Sequence, residues 1–277
     1  MVTAHGAKNF KRIMRSVLER IESVPGNCTL GKELSASPIT KIYLCVFNNI
    51  KSIIRFDLEA ASYLALDRLN EVSILQSINH LDLAPEILYS DTEAGILIWR
   101  YNVGTEPNFS KNKSKQNSLY DLGSSLRSLH CIPAPKNTID IFSNSMDLYQ
   151  TLLDGPSEKL LFKNAITLYE ELVKDGTQKV FSHNDLHQKN LLWNNKYYFL
   201  DWEYAGLNHP CFDIASLVRS FELNQGQINE LLEGYKANSK SSQMDGLISW
   251  IKFIDYLEEI WSISLSKILN NIAPIDN

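Results

Sequence analysis

Cysteine is scarce in this sequence and nowhere paired. Cys28, Cys45, Cys131 and Cys211 lie far apart, and no C-x-x-C spacing occurs. That pattern offers neither a zinc signature nor a disulfide framework, and it suits reduced thiols in a cytoplasmic protein. Long apolar runs are also missing. No window approaches the roughly 18 uncharged apolar residues of a membrane span. The stretch MVTAHGAKNFKRIMRSVLERIESV lacks the continuous apolar core of a signal peptide. Basic charge is not in surplus either. The formal net charge is −5, whereas nucleic-acid binders usually carry a basic face. The expected partners therefore include no nucleic acid and no membrane insertion, and the expected location is the cytoplasm. An anionic ligand stays open, because magnesium and a few local cations suffice to hold phosphate.

What is present is an ordinary globular composition, 44% apolar and 21% charged over 277 residues. This is enough for one large or two modest domains. Phe10, Ile13, Met14, Val17, Leu18 and Ile21 recur at helical spacing, ending near Pro25-Gly26. Residues 41–47 and 51–56 read as a hairpin across Asn48-Asn49. A helix is predicted from Asp67 to Ile78, with Leu69, Val72, Leu75 and Ile78 on one side. A second hairpin spans 86–90 and 96–99. After a polar, lysine-bearing loop at 110–118 the pattern turns helical: 119–130, 145–153, 157–174, 214–223, 228–235 and a long final helix. Two short strands interrupt it, near Val180 and at Tyr197–Leu200. The expected architecture is α+β, with a small N-terminal lobe (1–101) of antiparallel sheet plus helix and a larger, mostly helical C-terminal lobe (102–277).

The chemistry concentrates in VFSHNDLHQKNLLWNNKYYFLDWEYAGLNHPCFD, Val180 to Asp213. Asp185 and Asn190 stand five positions apart, and Asp201 follows an apolar and aromatic run. Phosphoryl transfer from ATP uses such a set: one Asp takes the acceptor hydroxyl's proton, while an Asn and a second Asp hold magnesium on the phosphates. The spacing His183-x-Asp185-x-x-x-x-Asn190 is that of a kinase catalytic loop. A single Asp here would read as a cap or turn residue; the three together read as catalytic Asp185 and metal ligands Asn190 and Asp201. His183 is expected to support the loop. His187 either lines the acceptor site or packs. A zinc site on His183 and His187 is a remoter reading, since no helix carries the pair and no third ligand follows.

HNDLHQKNLLWNNKYYFLDWEYAG resembles the signature of the choline/thiamine kinase and aminoglycoside phosphotransferase superfamily, small-molecule kinases with a protein-kinase-like fold. His183, Asp185, His187 and Asn190 match its H-G-D-x-H-x-x-N, with Asn184 in the glycine position. Leu200 to Tyr204 are similar to its I-D-W/F-E-Y, and Phe212-Asp-Ile-Ala215 to an F-D-I/L-A of the choline kinase branch. Upstream, Arg68-x-x-Glu71, Leu83-Ala-Pro85-Glu86 and Leu122–His130 match weaker motifs in the same order.

The resemblance implies two lobes of a kinase, ATP and Mg2+ as cofactors, and further roles. Arg55 takes the place of the cation on the ATP α/β-phosphates, paired with Glu71; Lys51 is the competing candidate. Ile98, Trp99 and Tyr101 fall in the hinge along which adenine lies. The family's phosphate loop, L-S-G-G-x-x-N, is here Leu34-Ser-Ala-Ser-Pro-Ile-Thr40. Both glycines are gone and Pro38 removes a backbone donor, so phosphate is expected to rely on Ser35, Ser37 and Thr40. For the acceptor, a cationic alcohol of choline or thiamine type wants aromatic faces and carboxylates. Trp202, Glu203, Tyr204 and Trp261 are the candidates; Trp250 and Trp261 also fit the apolar stripe of the final helix. The expected activity is a kinase of such an alcohol. An aminoglycoside or other small-molecule phosphotransferase, and a weakened nucleotide-binding pseudokinase, are the alternatives.

Overall fold

The computed structural model describes residues 16–109, 118–136, 138–235 and 241–272. Two compact units result. One takes the residues up to 79, 85–102 and those from 265; the other takes 80–84 and 103–264.

The first unit is built on an antiparallel sheet. Its strands are β1 (Cys28–Ala36), β2 (Thr40–Phe47), β3 (Ile50–Asp57), β4 (Ile87–Asp91) and β5 (Ile96–Arg100), in the order β1-β2-β3-β5-β4. Phe47 pairs with Ile50, which leaves Asn48 and Asn49 as a two-residue connection. Both have left-handed backbones, φ 47° and 66°. Asparagine tolerates that conformation, and the resulting primed turn matches the twist of its strands. Strand β1 is a departure from expectation: residues 34–36 continue a strand rather than forming a loop. Its residues are almost all exposed at the sheet edge, so no alternation marked it.

Cys45, Phe47, Ile54, Phe56, Ile96 and Ile98 form the core of this unit with Val24 and Ala94. Helix α1 (Val17–Glu22) begins at a capping box between Ser16 and Glu19. Its Arg20 is buried, donates to the carbonyls of Asp57 and Ala94 (2.7 and 3.1 Å), and lies over the Phe56 ring. Phe10, Ile13 and Met14 of the expected helix lie outside the described residues, as do 110–117 of the lysine-bearing loop.

Helix α2 (Arg68–Ile78) is capped by Asp67, which accepts from the Asn70 amide. Its buried face is Glu71, Ile74, Leu75 and Ile78. Leu69, expected on the apolar side, is 71% exposed. Leu75 and Ile78 are buried as expected, but Glu71 and Ile74 complete the inward face in place of Leu69.

The second unit contains helices α3 (Leu119–His130), α4 (Ile141–Leu152), α5 (Pro156–Leu172), α6 (Pro210–Ser220) and α7 (Gln225–Tyr235), and residues 241–264 of α8 (Ser241–Ile272). Two small ribbons lie between them: β6 (Val180–Ser182) pairs with β9 (Gly206–Asn208), and β7 (Leu191–Trp193) with β8 (Tyr197–Phe199). Strands β7 and β9 escaped prediction: Gly206-Leu-Asn208 has no β-branched or aromatic residue, and Leu191-Leu-Trp193 runs straight on from the polar turn before it. The core collects Leu122, Leu126, Leu129, Phe181, Leu191, Tyr197, Phe199, Trp202 and Trp250. No helix among the described residues is long and apolar enough to cross a membrane.

Helices α3 and α7 touch through glycine. A Cβ on Gly123 would stand 2.1 Å from the Leu231 carbonyl oxygen, and one on Gly234 would stand 1.9 Å from that of Tyr120. Backbone cannot yield as a flexible side chain does. Gly123→Ala is therefore expected to lower unfolding stability by about 3 kcal/mol, read as a reduced urea midpoint at unchanged m-value. A midpoint equal to that of the unsubstituted chain would contradict this packing.

Candidate active site

In the first unit the charges are paired inside the fold. Arg55 on β3 forks onto Glu71 of α2, Nη1 to Oε1 at 2.8 Å and Nη2 to Oε2 at 2.6 Å. Arg68 completes a quartet, donating to both oxygens of Asp57 (3.0 and 2.9 Å) and to Glu71 (3.0 Å). Burial works against the Glu71 charge; the two guanidinium groups hold its carboxyl below the usual range. Sequence reasoning picked out Arg55 and Glu71 but missed Asp57 and the part played by Arg68. An Asp closing a strand beside an Arg two residues away was the available signal. Lys51 is exposed, with its ammonium 3.9 Å from the Tyr101 ring centre.

The segment matched to a phosphate loop is a tight turn. The Ser37 amide donates to the Thr40 carbonyl at 2.8 Å. The Ser37 hydroxyl accepts from the amides of Ile39 and Thr40 (3.3 and 3.0 Å) and meets the Thr40 hydroxyl at 3.1 Å. Ser37 and Thr40 thus satisfy each other, while Ser35 is exposed. Ile98 and Trp99 lie inside the sheet ladder, and the chain leaves it at Tyr101, whose amide donates to the Lys51 carbonyl at 3.0 Å.

In the second unit a fully buried carboxylate organises the central stretch. Asp213, on α6, accepts from the amides of His183 and Asn184, both at 2.9 Å, and from His130 Nε2 at 3.0 Å. Burial opposes its charge, but the His130 contact and the amide donors prevail and keep its carboxyl below the normal range. Asn184 has φ 66°, the left-handed backbone that glycine or asparagine adopts most readily. Its side chain ties Tyr204 and Asn208 into the same knot. Burial lowers His183 to about 4, so the ring is neutral; its Nε2–H donates to the Leu200 carbonyl at 2.9 Å.

Asp185 follows this anchored turn. Asn190 Nδ2 donates to the Asp185 carboxylate at 2.8 Å and to its carbonyl at 2.9 Å. That leaves the amide oxygen as the group Asn190 can offer a cation. The Leu200 amide donates to the Asn190 carbonyl at 2.8 Å, which fixes the backbone one residue before Asp201. Asp201 is exposed and left-handed, φ 61°. Asn190 thus has an amide oxygen to offer and Asp201 a carboxylate, both hard oxygens of the kind magnesium takes. No cluster of three or more His, Cys, Asp or Glu that could hold a metal occurs among the described residues.

A cavity of about 570 Å³ opens beside Asp185. Of the acceptor candidates, His187, Glu203, Tyr204 and Trp261 line it, and the Trp261 indole donates to the Tyr204 hydroxyl at 3.1 Å. Trp202 does not. It is 1% exposed, packs on Phe181, Phe199 and His183, and donates to the Phe199 carbonyl at 2.8 Å. The left-handed backbone at Asp201 turns the chain just after β8, and the next ring lies in the core. Trp250 packs likewise against His209 and Phe253. Tyr149 and Arg219 line the cavity without having been foreseen; an arginine amid the buried residues of α6 was the one available hint. Burial pushes the Asp185 carboxyl up to about 7, the Glu203 charge adds to the rise, and the Asn190 hydrogen bond opposes it. Its side chain remains 35% accessible through the cavity. Burial also lowers His187, whose Nε2 stands 3.7 Å from the Asp185 carboxylate.

Residues 52–247 match the model of the phosphotransferase enzyme family (APH). Protein LicA of Haemophilus influenzae is 28% identical over 155 residues, 52% of this chain and 45% of that protein. Ethanolamine kinase 2 of Mus musculus is 30% identical over 176 residues, 57% of this chain and 44% of its own length. The chain thus spans about half the length of these curated relatives. The crystal structure of choline kinase LicA from Streptococcus pneumoniae shares 18% identity at a TM-score of 0.72, covering 91% of this chain and 90% of that one. The fold is that of the protein-kinase-like small-molecule phosphotransferases, as its sequence motifs implied.

Two outcomes follow from the electrostatics. Glu71→Gln leaves Asp57 as the one carboxylate of the quartet facing both guanidinium groups and is expected to cost roughly 3 kcal/mol in chemical denaturation; a loss below the error of the fit would contradict the quartet. The second concerns pH. An Asp185 carboxyl raised in the folded state binds more protons than in the unfolded chain between the two values, so its ionisation lowers stability as pH rises from about 4 to about 7. Asp185→Asn is expected to gain stability over wild type across that interval and to match it near pH 4. Parallel stability curves would refute the burial of Asp185.

Proposed function

The chain belongs to the phosphotransferase enzyme family, and from that premise we propose that it transfers the γ-phosphate of ATP to the hydroxyl of a small cationic alcohol of choline, ethanolamine or thiamine type. The observation that carries this reading is Asp185, hydrogen-bonded to Asn190 and facing a cavity that also holds Glu203, Tyr204 and Trp261. Asp185 orients the acceptor hydroxyl and takes its proton as the oxygen attacks. A carboxyl near neutrality is matched to that task. Asn190 and Asp201 would hold magnesium, which when bound neutralises charge on the phosphates. Glu203 supplies a counter-charge, and the rings of Tyr204, Trp261 and Tyr149 supply faces for an ammonium group. Arg55, set by Glu71, serves the phosphates, and the main chain leaving β5 at Tyr101 serves adenine. Ser35 is the exposed hydroxyl of the phosphate turn. Four free cysteines suit action in the cytoplasm.

Asp185→Ala is expected to reduce turnover roughly 10³-fold while ATP affinity, measured by calorimetry, stays within a fewfold of wild type. The acceptor is found by measuring magnesium-dependent ATP consumption with choline, ethanolamine, thiamine and an aminoglycoside. Consumption with any of them excludes a purely nucleotide-binding role. Undiminished turnover by the Asp185→Ala protein would remove that residue from the chemistry.

A further inference from the structure

The acceptor cavity contains a cation of its own among carboxylates. Arg219 and Glu258 both line it. The Arg219 guanidinium forks onto Glu258, Nη1 to Oε1 and Nη2 to Oε2, each at 2.6 Å. Its Nε donates to Asp255 at 2.6 Å. Asp255 is not among the cavity residues. Both oxygens of Glu258 are therefore engaged, in the bidentate geometry that guanidinium forms and ammonium cannot reproduce. The Arg219 charge also faces whatever enters. Glu203 and Asp185 complete the charged lining.

We propose that Arg219 is a charge-selecting residue: by holding Glu258 in its fork it confines the site to acceptors with a single cationic group and disfavours polycationic ones. This rests on the cationic-alcohol reading above. A first ammonium finds Glu203 and the aromatic faces. Asp185 is taken up by Asn190 and the acceptor hydroxyl, so a second ammonium gains a further carboxylate of the cavity only by prising Glu258 from Arg219, and it meets a guanidinium there. The size of the effect is bounded by exposure. The Arg219 and Glu258 side chains are 31% and 61% accessible, so water screens the pair and the discrimination amounts to about threefold to fivefold.

The test compares binding of choline, a monocation, with 1,3-diaminopropan-2-ol, a dication, to the full chain by titration calorimetry. In Arg219→Gln the affinity for the diamine relative to choline is expected to rise about threefold to fivefold. In the double variant Arg219→Gln, Glu258→Gln the ratio is expected to return to the wild-type value, because the released carboxylate is gone. An unchanged ratio in the single variant overturns the proposal, as does a gain that persists in the double. Should Arg219→Gln fail to fold, Arg219→Lys keeps the charge and loses the fork. Part of the shift supports the proposal there, and none overturns it. Choline binding without ATP consumption would sink the catalytic reading and leave this inference standing. Binding of neither amine would sink both.

Discussion

The second unit depends on one carboxylate that water never reaches. Asp213 belongs to α6, accepts two amides from the turn at 183–184, and takes a third hydrogen bond from His130 at the end of α3. Three segments far apart in sequence converge on two oxygens. A buried charge without partners would be too costly to keep, so the fold is committed to delivering all three donors at once. Position and backbone conformation of the turn that carries Asp185 follow from that commitment. The left-handed Asn184 is where the chain must bend to present two successive amides to one acceptor.

Asp213 and Asp185 show how environment divides one chemical group into two behaviours. Both are carboxylates of the same unit, and burial raises both. For Asp213 the donors outnumber the penalty and the group stays ionised. For Asp185 the neighbouring Glu203 adds repulsion, and a single amide opposes it. Pairs pushed apart in this way mark acid–base assignments. The first stays an anion within the fold; burial pushes the second up to about 7.

Much of this was legible in the sequence, for identifiable reasons. The β2–β3 hairpin announced itself through two asparagines flanked by alternating strands. The turn from His183 to Asn190 was legible because its chemistry tolerates few residue types at fixed spacing. What escaped depended on long-range geometry. The exposed edge strand β1 has no apolar rhythm to read, and β9 has no β-branched or aromatic residue to mark it. The inward face of α2 includes Glu71 and leaves Leu69 outside. Trp202, adjacent to candidate acceptor residues in sequence, faces the core, while Tyr149 and Arg219 reach the cavity from helices that carry no motif for it. Spacing finds residues that act through the local backbone; it is blind to those brought in by helix packing.

The turn between β1 and β2 has a consequence in the currency of disorder. Glycine-rich loops grip phosphate with bare amides, but a glycine-rich chain samples many conformations and loses that freedom when it orders. Here Pro38 fixes one dihedral, β-branched Ile39 and Thr40 restrict their own, and the Ser37 hydroxyl closes the turn from within. Little conformational freedom remains in this turn. Its order is set on folding, by its own side chains, and needs no ligand to impose it.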